Sequence, residues 1–97
     1  MYVAVQHRIK DAEAASARGQ KLIEGEGAPP GAQVLQFIPS RDRSAVNCIW
    51  EASSLEDVQD YVDATLGEAS ANSCFEVDSE QAFATELSGI GAGATAA

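Results

Sequence analysis

His7 is the only histidine in the chain, and imidazole is the side chain whose ordinary pKa lies nearest neutrality, which suits it to shuttle a proton or ligate a transition metal. It stands in the stretch Tyr2 to Ile9, YVAVQHRI. Alternation there places Val3, Val5, His7 and Ile9 on one strand face and Tyr2, Ala4, Gln6 and Arg8 on the other. Sharing a face with two valines equally fits a structural histidine beneath covering helices. Trp50, the only tryptophan, ends an apolar run beside Glu51; its indole can wall a ligand cavity or fill a core or dimer interface. Glu76 lies in another alternating stretch. A carboxylate held in a dry pocket has a raised pKa and can act as a base, whereas pairing with Arg8 would make it an inter-strand ion pair.

Cys48 and Cys74 are too few for a disulfide scaffold and lack the CxxC spacing of zinc or thioredoxin-type sites. They read as reduced thiols, and Cys48 as one that packs in an apolar setting. No Ser-His-Asp order, phosphate-cradling glycine loop or HExxH motif is present. Gly89-Ile-Gly91-Ala-Gly93 is not a dinucleotide loop, since no strand pattern precedes it and no helix pattern follows. The acidic run Glu56, Asp57, Asp60 and Asp63 has the spacing of a solvated helix face and not of a calcium loop.

Fifteen acidic against six basic residues give a net charge of -9, which repels phosphate backbones and anionic lipid surfaces and argues against nucleic acid and membrane as partners. No apolar run approaches the roughly 20 residues that span a bilayer, and the N-terminus enters a strand pattern without a signal peptide. A cytoplasmic location is expected. The 97 residues fit one domain, with 45% hydrophobic content. At that size about two-thirds of the unfolded chain's surface is buried, which allows one core. A sizeable pocket would therefore need a second copy of the chain to help wall it.

The elements that position these residues follow the pattern of apolar runs. Asp11 can cap an alanine-rich helix running through Leu22 and Ile23 and stopping near Gly25 or Gly27. Gly27-Ala-Pro-Pro-Gly31 is a connecting loop. Two runs rich in Val, Ile, Phe and Trp, Val34 to Ile38 and Ala45 to Trp50, flank Pro39-Ser-Arg-Asp-Arg-Ser44 and predict a hairpin. Ser53 or Ser54, with Glu56 as a capping-box partner of Ser53, starts a helix whose Leu55, Val58, Val62 and Leu66 share one side, and Gly67 suits a left-handed cap. Ser73 to Asp78 alternates as a fourth strand. Ser79 to Leu87 is expected to form a short closing helix that covers an edge with Phe83, which ends a single domain over residues 1–87. Residues 88–97 are a flexible tail anchored only by Ile90.

The order βαββαβ is the split βαβ arrangement of ferredoxin-like α+β domains. It predicts a four-stranded antiparallel sheet of order 4-1-3-2 with both helices on one face. With Ile49 placed against the helices, the open face would carry Tyr2, Ala4, Gln6 and Arg8, then Val34, Gln36 and Ile38, then Val46, Cys48 and Trp50, and finally Cys74 and Glu76. Such a face is too apolar to stay wet, so two copies are expected to close face to face into a dimeric α+β barrel with a pocket in each subunit. In this order Cys48 and Cys74 lie two strand spacings apart, roughly 9.5 Å. That is beyond the reach of a disulfide.

Val5-Gln-His7, with Cys48-Ile-Trp-Glu51-Ala52-Ser-Ser-Leu-Glu56-Asp-Val58-Gln59, resembles small bacterial ferredoxin-like proteins, some of which bind nickel. The resemblance implies nickel or another transition metal at His7 and Cys48, although the further histidines of that family are not found here. A more distant likeness, through Trp50-Glu51 at the end of the third strand, is to the antibiotic-biosynthesis monooxygenases, which imply oxidation of aromatic or polyketide-like substrates without a cofactor. Three readings follow. The first is a homodimeric small-molecule-binding protein, with Gln6, Gln36, Cys48, Trp50 and Glu76 lining the pocket between sheet and partner and no cofactor. The second is a cofactor-independent monooxygenase or isomerase acting in the same cavity. The third is a nickel or other transition-metal binding protein.

Overall fold

The computed structural model describes residues 1–85. The chain runs β1 (Tyr2–Ile9), α1 (Ala12–Glu24), β2 (Gln33–Pro39), β3 (Ala45–Glu51), α2 (Leu55–Leu66) and β4 (Ser70–Glu76), with a 3₁₀ turn over Gly67–Ala69. All strand pairs are antiparallel, and the sheet order is β2-β3-β1-β4, which is the ferredoxin-like α+β order 4-1-3-2 read from the other edge. No helix among the described residues is long and apolar enough to cross a membrane.

Each helix begins and ends for a local reason. Asp11, extended at φ -136°, accepts from the Ala14 amide, and α1 ends on Gly25, whose φ of 73° and ψ of 21° need a left-handed residue. The N-cap of α2 is Ser54, which accepts from the Asp57 amide. The capping box expected from Ser53 and Glu56 does not form. Gly67 has positive φ, but its ψ of -135° is not that of a left-handed cap. The chain instead passes straight into the 3₁₀ turn, and Arg18 Nη1 donates to the Leu66 carbonyl at 2.9 Å, tying the end of α2 to α1.

The core lies between the helices and one sheet face. It gathers Val3 and Val5 from β1, Cys48 and Trp50 from β3, Leu22 from α1, and Val58, Tyr61, Val62 and Leu66 from α2. Trp50 is fully buried and meets Tyr61 edge-on, with centroids 5.8 Å apart and planes at 87°. The Tyr61 hydroxyl donates to the Glu26 carbonyl at 2.6 Å, pinning α2 to the chain leaving α1.

The register corrects the faces expected for three strands. Val3, Val5 and His7 pair with Trp50, Cys48 and Val46 in β3, and with Glu76, Cys74 and Asn72 in β4. Val46, Cys48, Trp50, Cys74 and Glu76 therefore share the helix side with the β1 valines, not the open face. The physical reason is volume: the largest apolar ring belongs where two helices can enclose it, and the smaller Ile49 can stand opposite Ala4 on the other side. In β2 the register slips between Val34 and Gln36, so one extra residue, Leu35, breaks the alternation. Val34 pairs with Trp50 on the helix side, and Gln36 and Ile38 stay on the open face.

The open face thus carries Tyr2, Ala4, Gln6 and Arg8 as expected, joined by Asn47, Ile49, Ser73 and Phe75. Phe75 is 51% exposed. Beyond Glu76, residues 79–81 form a turn and Phe83 is 89% exposed. The expected closing helix is not found over the described part of 79–87, and Phe83 covers no edge. The expected tail, 88–97, lies outside the described residues. Cys48 and Cys74 are both free thiols and flank Val5 from opposite sides.

Candidate functional site

His7 is 3% exposed, on the helix side of the central strand β1. Its Nδ1 stands 2.7 Å from Asn72 Oδ1 on β4. The same Oδ1 accepts from the Ser70 hydroxyl at 2.7 Å, and Asn72 Nδ2 donates to Asp63 Oδ1 at 2.9 Å. This network fixes the amide orientation, since the opposite one would point a carbonyl oxygen at the Asp63 carboxylate. An amide oxygen only accepts, so Nδ1 of His7 carries the proton and Nε2 of the neutral ring is an acceptor.

That Nε2 is buried and has no hydrogen-bond partner among the described residues. Burial pushes the His7 pKa below its ordinary value, against the opposing pull of the Asn72 hydrogen bond and the Asp63 charge. The ring stays neutral at neutral pH. The two ring nitrogens point in diverging directions, so with Nδ1 held toward Asn72 on β4, Nε2 faces away from that edge.

A cavity of about 320 Å³ lies between α1 and the sheet. His7 forms part of its wall, together with apolar groups such as Ile9, Leu22, Phe37 and Val46. The small residues Ala12, Ala15 and Gly19, one helical turn apart on the inner face of α1, leave the space open. Ser16 and Gln20 supply polar groups on the α1 side, and Ser40 and Arg43 do so from the β2–β3 loop.

That loop is ordered by Asp42. Its carboxylate takes hydrogen bonds from the Ser40 hydroxyl at 2.8 Å, the Ser44 hydroxyl at 2.7 Å and the Ser44 amide at 3.0 Å. These bonds, Ser44 foremost, hold its pKa at about 2. Arg43, at φ 66°, is the one non-glycine residue with positive φ among the described residues. Its guanidinium crosses to α1, where Nη2 donates to Ser16 Oγ at 2.8 Å and to the Ala12 carbonyl at 3.2 Å.

The residues expected to surround one pocket are not brought together. Gln6 and Gln36 lie on the open face, whereas Trp50 and Cys48 sit in the core and Glu76 is an exposed residue on the helix side of β4. The proposed pairing of Glu76 with Arg8 has no basis in this register, since the two project to opposite faces. His7 and Cys48 share a face of adjacent strands but stand in diagonal register, and burial pushes the Cys48 thiol up to about 12, far from the thiolate that metals prefer. No group of three or more His, Cys, Asp and Glu suited to a metal exists among the described residues. The donor set does not fit nickel.

Sequence reasoning missed Asn72, Asp63 and Arg43. Asn72 fell outside the expected fourth strand, which begins three residues earlier than its apolar alternation shows, because Ser70 and Asn72 are polar for the sake of the imidazole. Asp63 read as part of a solvated helix face. Comparison of the chain with protein-family models, curated proteins and solved structures finds no match to any of them, so the site rests on its own geometry.

Proposed function

We propose that this protein binds a small, largely apolar molecule in the cavity between α1 and the sheet, with His7 Nε2 accepting a hydrogen bond from a hydroxyl or N–H group of the ligand. The carrying observation is a buried imidazole nitrogen with no partner among the described residues, on a ring that lines an apolar cavity. A buried acceptor left unpaired costs about 1–3 kcal/mol, and a ligand donor would recover that. The volume suits a molecule of one or two rings. Phenol and toluene, which differ by a hydroxyl against a methyl, test it by backbone amide shifts of the cavity residues. Phenol is expected to bind the wild type more tightly, with the preference lost in His7→Phe. Equal binding of the two by the wild type contradicts the reading.

The open sheet face favours homodimerisation as a second element. Phe75 at 51% and Tyr2 at 39% exposure stand on neighbouring edge and central strands with Ala4 and Ile49 beside them, and a second copy is the occupant that supplies the same apolar row. Sedimentation equilibrium at micromolar concentration is expected to give a dimer that Phe75→Glu dissociates. A wild-type monomer contradicts it.

A further inference from the structure

Among the described residues, the cavity has one charged wall residue. In a chain with 15 acidic and six basic residues, none of the described aspartates and glutamates lines it, and Arg43 does. Chance placement in so acidic a chain would favour the opposite sign. The hydrogen bonds of Arg43 to α1 go to two neutral oxygens, both through Nη2, so the guanidinium keeps further donors. Its backbone is held in a left-handed conformation that non-glycine residues rarely adopt, by a loop already ordered around Asp42. The side chain reaches α1 at Ala12 and Ser16 and forms part of the cavity wall.

The two polar anchors lie at different places along the walls. His7 pairs with Val46, and Arg43 is three residues back along the chain from Val46, so the two backbones are separated by at most roughly 15 Å, from about 3.3 Å per residue and one strand spacing of about 4.8 Å. Between them the walls are apolar: Ile9 from β1, Phe37 from the edge strand and Leu22 from the helix. A ligand that satisfies both ends has a hydrogen-bond donor at one end, an anion at the other and an apolar body between. Arginine binds carboxylates through paired N–H groups, which suits it to that end.

From this arrangement we infer that the ligand of the cavity is a hydroxylated apolar carboxylate, its hydroxyl on His7 Nε2 and its carboxylate on Arg43. This rests on the cavity being a binding site and narrows it to one chemical class. The loop residues Ser40 to Ser44 then serve as the anion-binding side of the mouth, and the contact of Arg43 with Ser16 is a resting position that carboxylate binding replaces or shares.

Calorimetry at neutral pH with three probes tests the inference. They are 4-hydroxybenzoate, its methyl ester, which keeps the hydroxyl but has no charge, and 8-hydroxyoctanoate, which has a flexible body. The wild type is expected to bind at least one of the two acids about tenfold more tightly than the ester. Which acid wins tells a ring-shaped from a chain-shaped ligand, and either supports the class. Arg43→Gln is expected to bring acid and ester within about twofold. Ser16→Ala, which removes the resting contact and leaves the guanidinium, is expected to keep the preference for the acid. An ester that binds the wild type as well as the acids overturns the anion assignment and leaves the cavity as a binding site. A preference for the acid that survives in Arg43→Gln overturns the role of Arg43. Failure of all three probes to bind overturns both the class and the site.

Discussion

His7 Nδ1 and Asn72 Oδ1 lie 2.7 Å apart across the β1–β4 ladder, and this one bond decides which imidazole nitrogen is left for chemistry. Asn72 in turn is held by Ser70 and by Asp63. Gln59 braces the same group, donating to Asp63 Oδ2 at 3.0 Å and to the Asn72 carbonyl at 3.1 Å. Helix α2 and strand β4 thus orient a ring that belongs to β1.

Removing the amide should therefore cost more than its partly exposed position suggests. Asn72→Ala leaves the His7 N–H and the Ser70 hydroxyl without their acceptor, and the loss is expected to be about 1–3 kcal/mol, read by urea denaturation. The variant should also lose the single tautomer of His7. A change within experimental error would mean that the network does not brace the ring.

Stability should fall as the solution is acidified past the ordinary histidine value of 6.5. The folded ring has a lowered pKa, so between that lowered value and 6.5 the unfolded chain binds more protons and acid favours unfolding; above 6.5 the stability is fully present. Comparing wild type with His7→Phe over pH 7 to 5 isolates this contribution from that of the carboxylates. The variant should be less sensitive to acid. If its stability falls as steeply as that of the wild type, His7 is not buried in its neutral form.

Trp50 should report an apolar, water-free setting. Its emission is expected at short wavelength and resistant to quenching by iodide, as follows from a fully buried indole. Trp50→Ala should cost about 3–5 kcal/mol. Trp50→Phe should cost less, because it also removes the indole N–H that finds no partner among the described residues. Readily quenched emission would place the ring on the open face, where setting Ile49 against the helices puts it.

Both cysteines should be slow toward thiol reagents. Burial pushes Cys48 up to about 12 and Cys74 up to about 11, so little thiolate exists at mildly alkaline pH. Cys74, only partly buried at the edge strand, should be labelled first, and Cys48, in the core, only on unfolding. Mass spectrometry after timed labelling checks the order. Rapid labelling of Cys48 in the folded protein contradicts it.

The element order and the sheet topology were legible because alternation at Tyr2 to Ile9 and helical spacing from Leu55 to Leu66 are local signals. The parity of β3 was not, because its two faces are comparably apolar in part: Ile49 alone argues for one side, Val46 and Trp50 for the other. Only the volume enclosed by both helices chooses between them. The slip at Leu35 leaves no mark in a run of apolar residues, so Val34 went to the wrong face. His7 was recognised as the chemically able residue on the helix-covered face. Its partners were not, because Asn72 and Asp63 are distant in sequence and ordinary in type, and Arg43 sits in a loop whose shape follows from Asp42.

The central claim is that His7 is neutral, with its proton on Nδ1 and a bare Nε2 beside the cavity. A long-range proton–nitrogen correlation spectrum at neutral pH distinguishes the two nitrogens directly. The account predicts a protonated, pyrrole-like Nδ1 and an unprotonated, pyridine-like Nε2 whose signal moves when 4-hydroxybenzoate is added. A proton on Nε2, or a charged ring at that pH, would contradict it.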